Sequence, residues 1–357
     1  MKNQKITYAN AIKLAIDESM HKDKNIVLFG EGVDDPSSMF GTIKGLAKKY
    51  GSNRAVEMPL SENCLIGAAI GSSMMGDKVI VNLQRVEFAL LALEQIINNA
   101  AKAHYISQGK HKVSIVIRLI IGRGWGQGPE HSQSLETLFS SIPGLKVMMP
   151  VFPNEAYEMM KLAIFDQNPI IFLEQRWCHY TYGLINKKVN LQLNCFTKLN
   201  SGSDLTLISS GYASVEALKV IKLLKKYNIK IDLFNIKVLR PLSLRLIFNS
   251  VKKTKRFISI DNGPKTLGLG SEILSQIVEK SLILKSPPIR LGLPDHPIPS
   301  SRSFINEVYV TPKKIFYSIF NNLKISKKQS NRIYLEYKKS IKVLPLDIPH
   351  PDFQGPF

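Results

Sequence analysis

Three stretches of this 357-residue chain combine residue types that could do chemistry. In the first, Glu57-Met58-Pro59-Leu60-Ser61-Glu62 runs on towards Ile66-Gly67-Ala68-Ala69-Ile70-Gly71, which places a carboxylate at the start of a small-residue, apolar helix. Two readings are open. Ser61 can cap the helix while Glu62 favours its positive N-terminal end. Alternatively, a carboxylate held in a close-packed, desolvated place gains proton affinity and can exchange a proton with a ligand.

In the second stretch, Gly122-Arg123-Gly124-Trp125-Gly126-Gln127-Gly128-Pro129 leads into Glu130-His131-Ser132-Gln133. That much glycine after an apolar run predicts a flexible loop that brings backbone and an imidazole near a bound molecule. A lone surface histidine fits the same letters. The spacing excludes a Gly-Lys-Ser/Thr phosphate loop and the dinucleotide pattern GxGxxG. The third stretch joins Asp261-Asn262-Gly263 to Gly268-Leu269-Gly270-Ser271-Glu272. It reads as an anion-receptive turn of low specificity. No GxSxG nucleophile motif and no kinase signature are present.

The elements that must position these residues alternate almost from end to end. Apolar, β-rich runs at 25–30, 79–83, 113–121, 145–150 and 169–173 are separated by helical patterns at 8–21, 62–75, 90–107 and 154–165. Alternation of this kind predicts an α/β architecture with a mainly parallel sheet covered on both faces. The pattern breaks into polar residues over 187–203, the best boundary between domains. It then restarts, with strands at 205–209, 231–238, 257–261 and 289–293. Helices are predicted at 215–227, 242–252, 270–284 and 312–324. The expected organisation is two doubly wound domains, 1–190 and 200–325, and a basic then Pro-rich tail over 326–357. Pro345, Pro349, Pro351 and Pro356 forbid a helix near the end, which leaves an arm on a neighbour or a frayed tail.

Composition narrows the class. A hydrophobic fraction of 44% supports two packed cores. The polar start lacks an apolar signal core, and no apolar run approaches the roughly 18 residues that span a bilayer. Cys64, Cys178 and Cys195 form no CxxC pair, which fits a reducing compartment. These features predict a soluble, cytoplasmic protein. The net charge of +20 comes from lysines scattered over solvated faces, densest over 313–342. Arginine and aromatics are not interleaved as a nucleic-acid surface requires, so neither nucleic acid nor membrane is an expected partner.

Six further segments occur in a telling order. They are Leu28-Phe29-Gly30-Glu31-Gly32-Val33, Pro59-Leu60-Ser61-Glu62, Phe88 with Glu94-Gln95-Ile96-Ile97-Asn98, His131-Ser132-Gln133-Ser134, Ile142-Pro143-Gly144-Leu145-Lys146-Val147, and 166–174 ending in Phe172-Leu173-Glu174. Together they resemble the β subunit of the decarboxylating component of 2-oxo acid dehydrogenase complexes, among the transketolase-like thiamine enzymes. The similarity runs from about Thr7 to Leu323. It implies a pyrimidine-binding domain followed by a transketolase C-terminal-type domain.

The resemblance also implies roles. Glu62 matches the carboxylate that hydrogen-bonds the aminopyrimidine of thiamine diphosphate. Phe88 matches the aromatic that stacks on that ring, and Glu31 falls in the cofactor-binding set. His131 matches the histidine that assists acyl transfer to a lipoyl group. Ala163, Ile164, Asp166 and Asn168, with Ile115, match a structural potassium loop, although a helix end and turn explain these letters too.

The chain has Gly76-Asp77-Lys78 but no Gly-Asp-Gly. The resemblance therefore implies an α subunit that supplies Gly-Asp-Gly, magnesium and the diphosphate grip in an α2β2 assembly, with a 2-oxo acid as substrate and a lipoyl acyltransferase as partner. Arg85, Glu87, Leu91, Glu130 and Arg123-Gly124-Trp125 depart from the family pattern, as does the tail. These departures suggest a specialised member. A split transketolase-type enzyme, which transfers a ketol or acyl unit to an aldehyde, stays open beside the dehydrogenase reading.

Overall fold

The computed structural model describes residues 5–353 apart from 37, 39, 125, 188–193, 342–343 and 346. The short strand β1 (Ile6–Thr7) runs into α1 (Tyr8–Lys22), where the Thr7 hydroxyl accepts from the Asn10 amide at 3.2 Å. Tyr8, Ala11, Ile12, Ala15, Ile16 and Met20 lay one apolar stripe on the core. There follow β2 (Ile26–Gly30), α2 (Leu46–Tyr50), β3 (Ala55–Glu57), α3 (Glu62–Met74) and β4 (Lys78–Arg85). Beyond them lie α4 (Ala101–Ile106), β5 (Ile115–Ile121), α5 (Gly128–His131), α6 (Glu136–Ser140), β6 (Lys146–Met148), α7 (Pro153–Ile164), β7 (Ile170–Gln175) and β8 (Tyr182–Gly183).

Six of these strands pair in parallel in the order β6-β7-β5-β4-β2-β3, while β1 and β8 form a separate antiparallel pair. Alternation along β5 divides the core. Ile115, Ile117, Leu119 and Ile121 join the cluster with Leu65, Ile66 and Ala69 of α3, whereas Val116 joins that of Tyr8 and Tyr157.

The helix expected over 90–107 is broken into a 3-10 turn (Phe88–Ala92), a π turn (Gln95–Ala100) and α4. The buried stripe of Ala89, Ala92, Ile96 and Ala100 keeps helical spacing through the changes of winding, so periodicity could not reveal them.

The second domain contains β9 (Phe196–Asn200), β10 (Leu205–Ser210), α8 (Ala213–Leu224), β11 (Ile231–Ile236), β12 (Val238–Arg240), α9 (Arg245–Thr254), β13 (Phe257–Pro264), α10 (Leu269–Glu279), β14 (Ile289–Leu293), α11 (Ile305–Val308), α12 (Pro312–Asn322) and α13 (Lys327–Ser340). Its sheet has the order β14-β13-β10-β11-β9, parallel except for the edge strand β9. That strand lies inside the stretch expected to be a polar break, and its Thr, Lys and Asn residues suit a half-buried edge. The expected strand over 231–238 is two strands. At Lys237, whose carbonyl accepts from the Met149 amide at 2.7 Å, the chain crosses over, and β12 pairs antiparallel with β6 of the first sheet. One apolar cluster also spans both domains, linking Leu119, Leu173, Ile208 and Phe257.

The tail differs from expectation. Ser326 caps α13 by accepting from the Gln329 amide, and Ser330, Ile333 and Tyr337 bury one face of that helix on the second domain. The chain then runs back across both domains: Asp347 pairs with Arg302 of the second at 2.9 Å, and the Tyr182 hydroxyl of the first donates to Asp352 at 3.1 Å. Phe353 lies against Arg176 and Tyr180. Among the described residues no helix is long and apolar enough to cross a membrane.

Two buried carboxyls meet where the domains join. Glu136 of α6 is fully buried with neither oxygen hydrogen-bonded, and it abuts Gly263, where a Cβ would clash with it. Asp261 of β13 accepts from the Ser210 hydroxyl at 2.5 Å and from the Gly263 amide. Burial, and then the Asp261 charge, push the Glu136 carboxyl up to about 8. The folded state therefore binds a proton that the unfolded chain has released. Stability falls as pH rises from about 4.5 towards 8, by at most roughly 1.4 kcal/mol per pH unit. Glu136→Gln should match the wild type near pH 5 and melt higher above pH 8. Parallel melting curves at both pH values would refute this assignment.

Candidate functional site

Parallel pairing brings the C-terminal ends of β2, β3, β4, β5 and β7 to one edge of the sheet, where ligand crevices form in open α/β folds. Glu31 follows β2, and Glu57 ends β3. The Glu57 carboxylate accepts from the Gly32, Val33 and Asp34 amides at 2.9, 2.6 and 3.3 Å, which fixes the loop that carries Glu31. The Glu31 carbonyl accepts from Asn82 Nδ2 and Gln84 Nε2 at 3.1 and 3.2 Å. Its own Oε1 is buried without a partner. Burial first, and then the charges of Glu62 and Glu57, push the Glu31 carboxyl up to about 7.

Glu62 opens α3 and is 8% exposed. Ser61 makes no side-chain capping bond, whereas Glu62 does sit in the first turn, where the helix end favours a negative charge, and its charge also acts on Glu31. Beneath them lies a buried network. Arg118 Nε donates to Glu174 at 2.7 Å, with further bonds to Asn82 Oδ1 at 3.3 Å and the Thr42 hydroxyl at 2.6 Å. His179 Nε2 stands 3.3 Å from the other Glu174 oxygen. Asn82 thus passes the rigidity of this ion pair to the Glu31 backbone.

The exit from β4 gathers a second group of residues. The β4–β5 register shifts between Asn82 and Arg85, and Gln84 has φ 57°, a bulge that re-aims the residues after it. Arg85 donates to Gln127 at 2.9 Å and to the His131 carbonyl at 3.4 Å. The Glu87 carboxylate hydrogen-bonds His131 Nδ1. Phe88 meets the imidazole edge-on at 6.2 Å, and its 3-10 turn packs against α3.

The described residues of the glycine loop are packed on their neighbours. Arg123 lies over the rings of Trp177 and Tyr309 at 3.8 and 4.5 Å, and Trp177 Nε1 donates to the Gly124 carbonyl at 3.1 Å. Gly128, at φ 73°, lets the chain pass against Ser300, where a Cβ would lie 2.5 Å from the hydroxyl. Trp125 lies outside the described residues.

Glu31 and Glu62 are thus brought together, as are Phe88 and His131, and the Phe88 turn packs against α3, which Glu62 opens. The candidate potassium residues lie at the other edge of the sheet. Ile115 opens β5, and Ala163 and Ile164 end α7. The Asp166 carboxylate pairs with Lys146 and accepts from the Asn168 amide at 2.9 Å and Nδ2 at 2.8 Å. The Ala163 carbonyl accepts from the Asp166 amide at 3.2 Å. The one charged group of the set is thus already paired with a lysine. Among the described residues no cluster of three or more His, Cys, Asp or Glu could hold a metal.

Sequence reasoning missed the roles of Glu57, Arg118 and Glu136, and it read Arg85 and Glu87 only as departures. The available signals were a charge at or just beyond the end of a strand for Glu57, Arg85 and Glu87 and a lone charge inside an apolar strand for Arg118; Glu136, at the start of a short helix, offered none.

Residues 4–177 match the transketolase pyrimidine-binding domain family, and residues 196–315 match the transketolase C-terminal domain family. The pyruvate dehydrogenase E1 component subunit beta of Acholeplasma laidlawii is 32% identical, covering 83% of this chain and 92% of the relative. The Porphyra purpurea protein of the same name is 33% identical, covering 90% and 98%. A solved structure, a split-gene transketolase in an inactive β4 tetramer, superimposes with a TM-score of 0.72 at 19% identity, over 90% of this chain and 99% of that one. At that identity it speaks for the fold, two α/β domains with mainly parallel sheets. With most of its length matched by both domain families and by relatives above 30% identity, this chain belongs to the pyruvate dehydrogenase E1 β-subunit family.

Proposed function

We propose that the chain is the cofactor-activating half of a thiamine-diphosphate-dependent 2-oxo acid dehydrogenase whose site is completed by an α subunit. The observations that carry this reading are the buried, partnerless oxygen of Glu31, whose carboxyl also feels the Glu62 charge, and the edge-on contact of Phe88 with His131. Those groups fit an aminopyrimidine, with carboxylate oxygens for its N–H groups and an aromatic face for its ring. Bound thiamine diphosphate supplies the acidic carbon and the electron sink that a 2-oxo acid needs to lose CO2.

In this reading Glu62 holds a proton at the pyrimidine nitrogen, in a low-dielectric place that strengthens the hydrogen bond. Glu31 changes charge near neutral pH and relieves the crowding of like charges around Glu62. Phe88 shields the ring from water. His131 gives a proton to the thiolate that leaves when the acyl unit bonds one sulfur of the oxidised lipoyl disulfide and the S–S bond breaks, the disulfide being the two-electron oxidant.

The diphosphate and Mg2+ fall to the α subunit. Asp77 of Gly76-Asp77-Lys78 is engaged by the Ser72 hydroxyl at 2.6 Å, and the chain has no Gly-Asp-Gly. Leu60, Leu90 and Leu91, beside Glu62 and Phe88, are exposed and form an apolar rim for a second subunit to cover, in keeping with α2β2.

The test is co-expression with an α chain bearing Gly-Asp-Gly. The pair, supplied with thiamine diphosphate, Mg2+ and a panel of 2-oxo acids, should release CO2 and acylate lipoyl domains. Ketol transfer to an aldehyde without CO2 release would overturn the proposal. His131→Ala should slow lipoyl acylation by roughly a hundredfold, with cofactor affinity within about threefold of wild type. Equal losses in acylation and cofactor binding would remove His131 from that role.

A further inference from the structure

Glu87 is an unusual residue to find beside the active-site imidazole. It leaves the β4 bulge at the N-cap of the Phe88 turn with its side chain 10% exposed, and its Oε1 hydrogen-bonds His131 Nδ1. Two residues earlier, Arg85 holds the His131 carbonyl and Gln127, so the same strand exit grips the α5 segment by backbone and side chain together. Phe88 closes one side of the imidazole. The opposite ring nitrogen, Nε2, has no hydrogen-bond partner among the described residues, and the side chain is 40% exposed, which leaves this edge of the ring open to an incoming molecule.

We infer that Glu87 is a positioning residue that fixes the tautomer and orientation of His131. An ionised carboxylate accepts hydrogen bonds and cannot donate them. Against it the neutral imidazole must carry its proton on Nδ1, which leaves the Nε2 lone pair at the open edge of the ring. When the ring takes up a second proton, that proton resides on Nε2, where an acyl acceptor can meet it. Without Glu87 the ring can rotate and exchange tautomers, and water can take Nδ1.

This inference rests on the dehydrogenase reading for its kinetic consequence but not for its structural one, and two measurements separate them. In the full-length chain bound to its α subunit and labelled with 15N-histidine, long-range 1H–15N spectra should show His131 with its proton on Nδ1. His131→Asn identifies the signal. In Glu87→Ala the population should move to the Nε2–H form. In lipoyl acylation, Glu87→Ala should lower kcat at least about tenfold, with KM for the 2-oxo acid within about threefold. Glu87→Gln can still accept from Nδ1 through its amide oxygen, and should recover kcat to within about fivefold of wild type. An unchanged tautomer in Glu87→Ala, an unchanged kcat, or a glutamine variant as slow as the alanine one would each overturn the inference. If the wild-type pair turns over no 2-oxo acid, the functional reading falls and the spectra alone decide the role of Glu87.

Discussion

Replacing Glu62 by Gln is expected to lower turnover of the assembled enzyme by roughly a thousandfold, the scale of a lost acid–base group. Folding should hardly notice. Glu62 accepts no capping bond from its own helix, and its charge lies beside Glu31, which Glu62 and Glu57 help push up to about 7. Removing one negative charge relaxes the other two, and the Glu31 carboxyl moves back towards the ordinary carboxylate range. Loss of turnover with an unchanged or slightly raised melting temperature identifies a chemical role. A Glu62→Gln enzyme that keeps more than about a tenth of wild-type turnover would sink the assignment.

The largest stability effect is expected at Arg118. This arginine is 2% exposed in mid-strand on β5, and its partner Glu174 is fully buried. Burial alone would raise the Glu174 carboxyl. Arg118 and His179 outweigh burial and hold it below the ordinary carboxylate range. Arg118→Met removes the main counter-charge and leaves the carboxylate in the core, at a cost of roughly 3–5 kcal/mol. Asn82 would lose the anchor behind Glu31, so activity should fall in whatever protein still folds. Arg118→Met with Glu174→Leu removes both charges and should recover more than half of the lost stability. Chemical denaturation of the three proteins reads this directly, and a single variant within about 1 kcal/mol of wild type would contradict the account.

The parallel sheets were legible in the sequence because buried strands read as continuous runs of Ile, Val and Leu, and β5 is the clearest case. The roles proposed for Glu62, Phe88 and His131 came from their order along the chain, because the local pattern left a bland reading of Glu62 and His131 open and did not single out Phe88. Glu57 and Arg118 were not legible. Their importance depends on which strands lie side by side, and strand order β7-β5-β4-β2-β3 is not written in any local pattern. The edge strand β9 and the helix α13 escaped notice for a different reason. Each is polar on the exposed side and buries only a narrow apolar stripe, too weak a period to separate from loop. The division of 231–238 between two sheets is likewise a tertiary decision, taken at Lys237.

That crossing has a consequence for biosynthesis. The outer edge of the first sheet is β6, and the strand that covers it, β12, lies some ninety residues later in the chain. Until Arg240 has emerged from the ribosome, a nascent first domain carries an open row of unpaired backbone groups, ready to pair with the same edge of another copy. A cell making this protein slowly, or making it truncated before residue 238, would therefore meet its aggregation hazard at β6 and should need a chaperone there.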